Sequence, residues 1–117
     1  MPNVKPKSAE RDASLKRTIV QTFDVPDSNY ETVFGVSELP PDETTGRHTH
    51  PGPEAAYVLQ GSGTILVDGQ PPLHLKEGQS YKLASNIVHE LKSGPNGVRA
   101  VVTWSVLKGK PFASPAR

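Results

Sequence analysis

Two histidines and a glutamate lie close together in the sequence, with a spacing that suits a metal site. His48 and His50 stand in Arg47-His48-Thr49-His50, and Glu54 follows the turn Pro51-Gly52-Pro53. On a β-strand, side chains two residues apart point to the same face of the sheet. The two imidazoles are therefore either exposed to solvent side by side or share a metal ion. A hairpin over this turn returns Glu54 beside His50, so we interpret the three side chains as one cluster.

The chemistry of these side chains limits which metal they would hold. Two neutral nitrogens and a carboxylate oxygen form a borderline-hard donor set that suits Fe, Mn, Ni, Zn or Cu. The chain has no cysteine, which excludes disulfides, zinc–thiolate sites, iron–sulfur clusters and thiol catalysis. His74 alternates with Leu73 and Leu75 and receives no role. His89 opens a strand-like segment after a turn, and it becomes a further ligand only if the fold brings it back to the cluster.

The rest of the sequence is typical of short strands joined by turns. The chain has 10 glycines and 12 prolines among 117 residues, which argues against a helical bundle. In residues 98–107, the alternate residues are all apolar, which predicts a strand with one buried face. We expect Gly61-Ser62-Gly63 to be a turn and residues 93–97 to be a loop. Strands are predicted over residues 16–23, 30–39, 47–50, 54–60, 64–67, 73–75, 80–83, 87–91 and 98–107.

The length and charge of the chain predict one domain with polar ends. We divide it into a flexible basic arm (1–15), a single barrel (16–109) and a loose tail (110–117). Five basic and two acidic side chains fall in residues 1–17, which we interpret as a solvated terminus. The net charge of +1 gives no field for nucleic acid. No apolar run reaches the ~18 to 20 residues of a membrane span. We expect a cytoplasmic protein, or a periplasmic one if a leader was removed.

Two segments together resemble the cupin superfamily. Residues 46–61 resemble its first motif, in which H-x-H is followed by three or four residues, Glu, six residues and Gly. His48, His50, Glu54 and Gly61 fall in place.

The second motif is matched less completely, by Gly78 and His89 in residues 78–89. The departures concern turn geometry and leave the ligand positions intact. Asparagine tolerates positive φ better than most non-glycine residues, so the turn remains feasible. Four positions depart from the family pattern: Asp42 for glycine, Ala84 for proline, Asn86 for glycine and Ser93 for asparagine.

The resemblance implies an all-β fold, the double-stranded β-helix or jelly-roll barrel of the cupins. It implies one divalent metal ion in the barrel mouth, held by His48, His50, Glu54 and His89. It also implies a homodimer, in which the strand at residues 16–23 would cross to the partner sheet.

Such a ligand set leaves open positions on the metal, which is typical of a catalytic site. It predicts a metal-dependent enzyme, dioxygenase-like or isomerase- and lyase-like, acting on a small oxygenated molecule, with no nucleic-acid or membrane partner. Glu54 is the candidate catalytic residue, as a ligand only or also as a base. One alternative is a non-catalytic module that binds a small ligand or metal as a sensor or store. A weaker alternative is a metal-free, epimerase-like protein with a histidine base.

Residues outside the motifs receive smaller roles. Trp104 shares its strand face with apolar neighbours and is expected in the core. Tyr57 should point away from the metal by strand alternation. Tyr81 and Gln60 are candidate hydrogen-bond donors behind the ligands.

Overall fold

Eight β-strands form the molecule in the computed structural model, which describes residues 14–117. The predicted arm at residues 1–15 lies almost wholly outside the described residues. Among residues 14–117, no helix is long and apolar enough to span a membrane. The strands are β1 (Lys16–Asp24), β2 (Tyr30–Leu39), β3 (His48–Thr49), β4 (Glu54–Val67), β5 (Leu73–Lys76), β6 (Ser80–Leu83), β7 (His89–Leu107) and β8 (Ser114–Pro115).

The strands pair antiparallel into one curled sheet, which confirms the predicted all-β jelly-roll fold. β7 lies at its centre, between β2 on one edge and β4 on the other. β1 pairs with β2, while β5 and β6 pair with β4. The start of β7 pairs with β3, which in turn pairs with β8.

The turn predicted at residues 61–63 and the loop predicted at residues 93–97 are both bends inside long strands, so those two predictions are wrong. Gly61-Ser62-Gly63 lies within β4, where the pairing with β7 shifts register. Residues 93–97 lie within β7. A Cβ on Gly61 would overlap the carbonyl oxygen of Gly97, and both glycines have positive φ. The glycines allow the two strands to bend together at close approach, which curls the sheet instead of ending it.

The core lies on the inner face of this sheet. The alternation predicted for β7 is confirmed, because Val98, Ala100, Val102, Trp104 and Val106 are all buried. Trp104 is 2% exposed and is among the most deeply buried large side chains.

The C-terminal residues are held against the sheet and do not form the loose tail that we expected. β8 pairs with β3, with Ser114 opposite Thr49. The ring of Phe112 contacts Trp104 and His50, at centroid distances of 5.0 and 4.9 Å. Burial of this aromatic ring offsets the entropy lost when the segment is ordered.

Three of the four residues that depart from the cupin pattern keep the local loop geometry. Asn86 has a φ of 60° and Asp42 a φ of 56°, and Asn and Asp are the non-glycine residues that adopt this region most readily. Ser93 replaces the usual asparagine. Its hydroxyl donates to the Pro40 carbonyl at 2.6 Å and accepts from the Glu43 amide at 2.8 Å. Ser93 thereby fixes the loop that leads toward β3.

The segment between His50 and Glu54 is a crossing and not the hairpin that we predicted. β3 pairs with β7 and β8, and β4 does not pair with β3. Instead, the carbonyls of Pro51 and Pro53 accept hydrogen bonds from Leu107 and Ser105 at the end of β7. Residues 51–53 therefore run along this end of β7.

Gly52 provides a test of this crossing. A Cβ at Gly52 would overlap the carbonyl oxygen of Ser105. We expect Gly52→Ala to lower the free energy of unfolding by about 1–3 kcal/mol, the usual cost of overpacking, as measured by denaturant unfolding. Gly69→Asn is the control, because nothing lies within 4 Å of that position; its positive φ strains a side chain, so a smaller loss is expected than in Gly52→Ala. An unchanged stability in Gly52→Ala would contradict the described packing.

Candidate metal centre

Three histidines from separate stretches of the chain converge inside the barrel. His48 lies in β3, His50 follows that strand directly, and His89 opens β7. The sheet register places His48 directly opposite His89. One potential ligand atom from each imidazole lies within 4.8 Å of the other two. The structure thus brings together the three histidines that the sequence singled out.

Hydrogen bonds to the backbone fix the orientation of all three rings. Nδ1 of His48 lies 2.8 Å from the Gly46 carbonyl, and Nδ1 of His50 lies 2.8 Å from the Phe112 carbonyl. Nδ1 of His89 lies 3.0 Å from the Ile87 carbonyl. A carbonyl only accepts, so in each ring Nδ1 carries a proton, and in the neutral ring Nε2 keeps its lone pair. This arrangement prepares an imidazole to ligate a metal through Nε2.

Glu54 lies against this group and completes the set of four residues. Its Oε1 lies 3.5 Å from Nε2 of His50 and 3.4 Å from Nε2 of His89. Trp104, opposite Glu54 in the sheet register, donates its Nε1 hydrogen to Oε1 at 3.0 Å. The hydroxyl of Tyr81 donates to Oε2 at 2.6 Å. Both carboxylate oxygens are therefore held in place.

The electrostatics keep three of the four donor groups, His48, His50 and Glu54, in their ligating forms. Burial lowers the pKa of His50 to about 4, although the Glu54 carboxylate opposes the shift. Burial also lowers the pKa of His48. Burial acts to raise the pKa of Glu54, but the contact with His89 and the hydrogen bond from Tyr81 outweigh it, so this pKa is lowered. At pH 7, His48 and His50 are neutral and Glu54 is ionised.

One buried atom of the site indicates a metal ligand. Nε2 of His89 is buried and has no hydrogen-bond partner among residues 14–117. Burial opposes protonation of His89, but the neighbouring Glu54 carboxylate outweighs it and raises the pKa of His89. A divalent cation would satisfy the lone pair of His89 and the charge of Glu54 together. The residues fit one Fe, Mn, Ni, Zn or Cu ion, with His48, His50, His89 and Glu54 as the predicted ligands.

The space around the histidines is small and opens toward a larger outer pocket. The inner cavity has a volume of about 20 Å³, close to the space for one water molecule or ion. The outer pocket measures about 410 Å³. Leu15, Arg17, Thr45 and His48 line both spaces, so a ligand from outside would pass these residues.

Sequence reasoning missed two contributors to this site. Arg17 was assigned to the solvated basic terminus, yet it is the only half-buried residue of β1. Phe112 was placed in the loose tail, yet its carbonyl orients His50. Both come from the ends of the chain, and neither lies in a motif. A lone arginine in a strand of β-branched residues was the one available signal.

The other residues singled out in the sequence lie where they were expected, except Gln60. Tyr81 is at the site and Trp104 is in the core, where it also contacts Glu54. Tyr57 is exposed and lies away from the histidines. His74 is exposed and hydrogen bonds to Thr64. Gln60 is exposed on β4 and does not line the inner cavity, so it is not a donor behind the ligands.

Comparison with known proteins agrees with this geometry. The profile of the Cupin domain family matches residues 35–106, more than half of the chain. The chain belongs to the cupin family.

Individual cupins show how far the likeness extends. The dimethylsulfoniopropionate lyase DddW of Ruegeria pomeroyi is 30% identical over 69 residues, covering 59% of this chain and 45% of that protein. The crystal structure of the lyase DddQ from the same organism matches with a TM-score of 0.67 and 22% identity, over 76% of this chain and 44% of DddQ. The chain thus spans less than half the length of either lyase.

A Klebsiella pneumoniae structure matches over nearly its whole length. This uncharacterised conserved protein with a double-stranded β-helix domain has a TM-score of 0.70 and 18% identity, over 99% of both chains. At this identity the likeness concerns the fold.

The predicted ligands can be tested by metal analysis. Wild-type protein loaded with Zn²⁺ and dialysed should retain about one equivalent. His50→Ala removes a donor atom and should weaken Zn²⁺ binding more than about 100-fold, beyond the loss usual for residues behind the ligands. The matched control, His74→Ala, should bind Zn²⁺ like the wild type. Full Zn²⁺ occupancy in His50→Ala would remove this assignment.

Proposed function

We propose that this cupin is a metal-dependent enzyme that acts on a small oxygenated molecule at the mouth of the barrel. The observation that carries the proposal is that His48, His50 and His89 converge beside the Glu54 carboxylate. In each of these histidines, a backbone carbonyl holds Nδ1. A bound divalent ion would supply a Lewis acid with positions left open to substrate.

The chain's own residues position the substrate and exclude water. Trp104 and Tyr81 hold the two oxygens of Glu54, so this carboxylate keeps one orientation. Phe112 covers His50 from the C-terminal side. Glu54 is the carboxylate in contact with two of the histidines, and we assign it as ligand and as candidate base.

Among possible reactions, we propose an elimination of the lyase type. The support is the likeness to DddW and DddQ, whose names identify dimethylsulfoniopropionate as their substrate. In this elimination a base removes a proton from the carbon beside the carboxylate. The carbon–sulfur bond then breaks and a carbon–carbon double bond forms. The products are acrylate, dimethyl sulfide and one proton.

The test is release of dimethyl sulfide from dimethylsulfoniopropionate by metal-loaded protein, measured by gas chromatography of the headspace. We expect turnover without oxygen uptake. Glu54→Gln should lower kcat by about 100-fold or more if Glu54 is the base, and His74→Ala should not change it. Oxygen uptake with a catechol or diketone, and no dimethyl sulfide, would favour the oxygenase-like alternative instead.

A non-catalytic role is the second candidate, and the size of the inner cavity favours it. A cavity of about 20 Å³ holds no organic substrate unless side chains at the mouth move. A sensor or store that holds only a metal ion would need no more space. Metal binding without turnover of dimethylsulfoniopropionate, a catechol or a diketone would support this alternative.

We also propose that the chain forms a homodimer through β1. Among the described residues, β1 pairs on one edge only, with β2. Its apolar side chains Ile19, Val20 and Phe23 are 46%, 49% and 58% exposed. An edge strand with exposed apolar residues is a site for pairing with a second chain.

This proposal predicts the molecular mass in solution. Light scattering after size-exclusion chromatography should give about twice the chain mass of 12.6 kDa. Phe23→Glu should shift the protein toward monomer, because it places a charge in the apolar contact. The control is Leu73→Glu, an exposed apolar residue on β5. A monomeric wild type at high micromolar concentration would refute the proposed dimer.

A further inference from the structure

The Glu54 carboxylate is held by one side chain from each of the two strands that flank it. The start of β4 pairs with β7 on one edge and with β6 on the other. Trp104 of β7 lies directly opposite Glu54 and donates to Oε1 at 3.0 Å. Tyr81 of β6 lies opposite Ala56, two residues beyond Glu54, and donates to Oε2 at 2.6 Å. Each carboxylate oxygen therefore has a donor of its own.

Tyr81 reaches this carboxylate across a small neighbour. Its ring packs against both buried clusters of the hydrophobic core. Diagonal neighbours in an antiparallel pair lie within reach of a long aromatic side chain, and Ala56 leaves the ring room to extend toward Glu54. A phenylalanine would fill the same space in the core. The hydroxyl is thus the part of Tyr81 that serves the carboxylate and not the packing.

The two oxygens of Glu54 face different partners. Oε1 lies near the imidazoles, 3.5 Å from Nε2 of His50 and 3.4 Å from Nε2 of His89. A carboxylate oxygen has two lone pairs, so Oε1 can accept from Trp104 and still ligate a cation. Oε2 instead accepts the hydroxyl of Tyr81 in a short, charge-assisted hydrogen bond. A cation bound beside the imidazoles would therefore meet Oε1, while Oε2 is occupied.

We propose that Tyr81 is a positioning residue that keeps Glu54 a ligand through Oε1 alone. This inference rests on the proposed function for its metal ion, and it adds what controls the number of positions open to a substrate. Three imidazoles and one carboxylate oxygen leave two positions on a six-coordinate ion, whereas chelation by both oxygens would leave one. The hydrogen bond from Tyr81 thereby preserves space for a substrate that binds the ion through two atoms.

Removal of the hydroxyl alone separates this role from packing. Tyr81→Phe keeps the ring and leaves Oε2 of Glu54 as a buried, charged oxygen without its donor, which is costly. A bound cation would satisfy that oxygen. We therefore expect the carboxylate of the variant to chelate the ion through both oxygens and to fill one of the two open positions.

The experiment follows the coordination of Co²⁺ in the full-length chain. Co²⁺ accepts the same nitrogen and oxygen donors, and its visible absorption bands report their number and geometry. Tyr81→Phe should bind one equivalent with an affinity within about tenfold of wild type, because the second oxygen offsets the lost positioning. Its visible spectrum should differ from that of the wild type. Tyr57→Phe is the matched control with an unchanged spectrum, since Tyr57 is 48% exposed and lies away from the histidines.

Two small ligands count the open positions on the Co²⁺-loaded protein. Acetohydroxamate binds a metal ion through two oxygens, whereas azide binds through one nitrogen. Tyr81→Phe should weaken acetohydroxamate binding by about tenfold or more and change azide binding by less than about threefold. Glu54→Gln provides a second background, because an amide ligates through its single oxygen. In that background Tyr81→Phe should leave acetohydroxamate binding unchanged.

Four results would overturn the role of Tyr81. They are an unchanged Co²⁺ spectrum in Tyr81→Phe, an equal loss of both probes, loss of Co²⁺ from the folded variant, and wild-type protein whose Co²⁺ binds neither probe. The first would reduce the hydrogen bond to stabilisation of a buried charge, and the third would make it necessary for ion binding itself. If Tyr81→Phe does not fold, Tyr81→Leu takes its place, because leucine also lacks the hydroxyl and remains apolar.

The same measurements separate this inference from the proposed function. They require no turnover, so a protein without lyase activity would refute the proposed reaction and leave the role of Tyr81 intact. Wild-type protein that does not bind Co²⁺ would overturn the metal centre and this inference together. A lyase whose Tyr81→Phe variant keeps the wild-type spectrum and both probe affinities would overturn this inference alone.

Discussion

β7 hydrogen bonds to neighbouring strands along both edges, and its two halves hold opposite sides of the metal centre. Its first residue, His89, pairs with His48 of β3. Fifteen residues later, Trp104 pairs with Glu54 of β4 and donates to its carboxylate. The bend at Gly97 lets one strand serve both ends. A straight strand of this length would carry His89 and Trp104 far apart.

The buried Glu54 carboxylate sets the chemistry of the site. A charge away from water is costly unless it is paired and hydrogen-bonded, and Glu54 has Trp104, Tyr81 and two imidazoles around it. The three histidines are oriented in the same way, each by a backbone carbonyl. The site is therefore rigid before any ion binds, which favours selective metal binding over a histidine acting alone as base.

Residues near both ends of the described chain cover the site. Phe112 covers His50 from the C-terminal side, and Arg17 of β1 lies over the rings of Phe112 and Trp104. The same barrel hosts many functions, so specificity is set by residues at the site and not by the fold. In the proposed enzyme, the histidines with Glu54 would supply the reaction centre.

The sequence by itself determined most of the strands and the local motifs, because both follow from short-range periodicity. Alternation in residues 98–107 predicted the buried face of β7, and H-x-H with Glu54 predicted the cluster. The sequence analysis correctly placed Glu54 beside His50, but for the wrong reason. The two residues are joined by a segment that crosses the end of β7, and not by a hairpin. Only the tertiary structure brought Arg17 and Phe112 to the site. Their positions depend on pairing between strands distant in the sequence, and no local pattern of residues encodes such pairing.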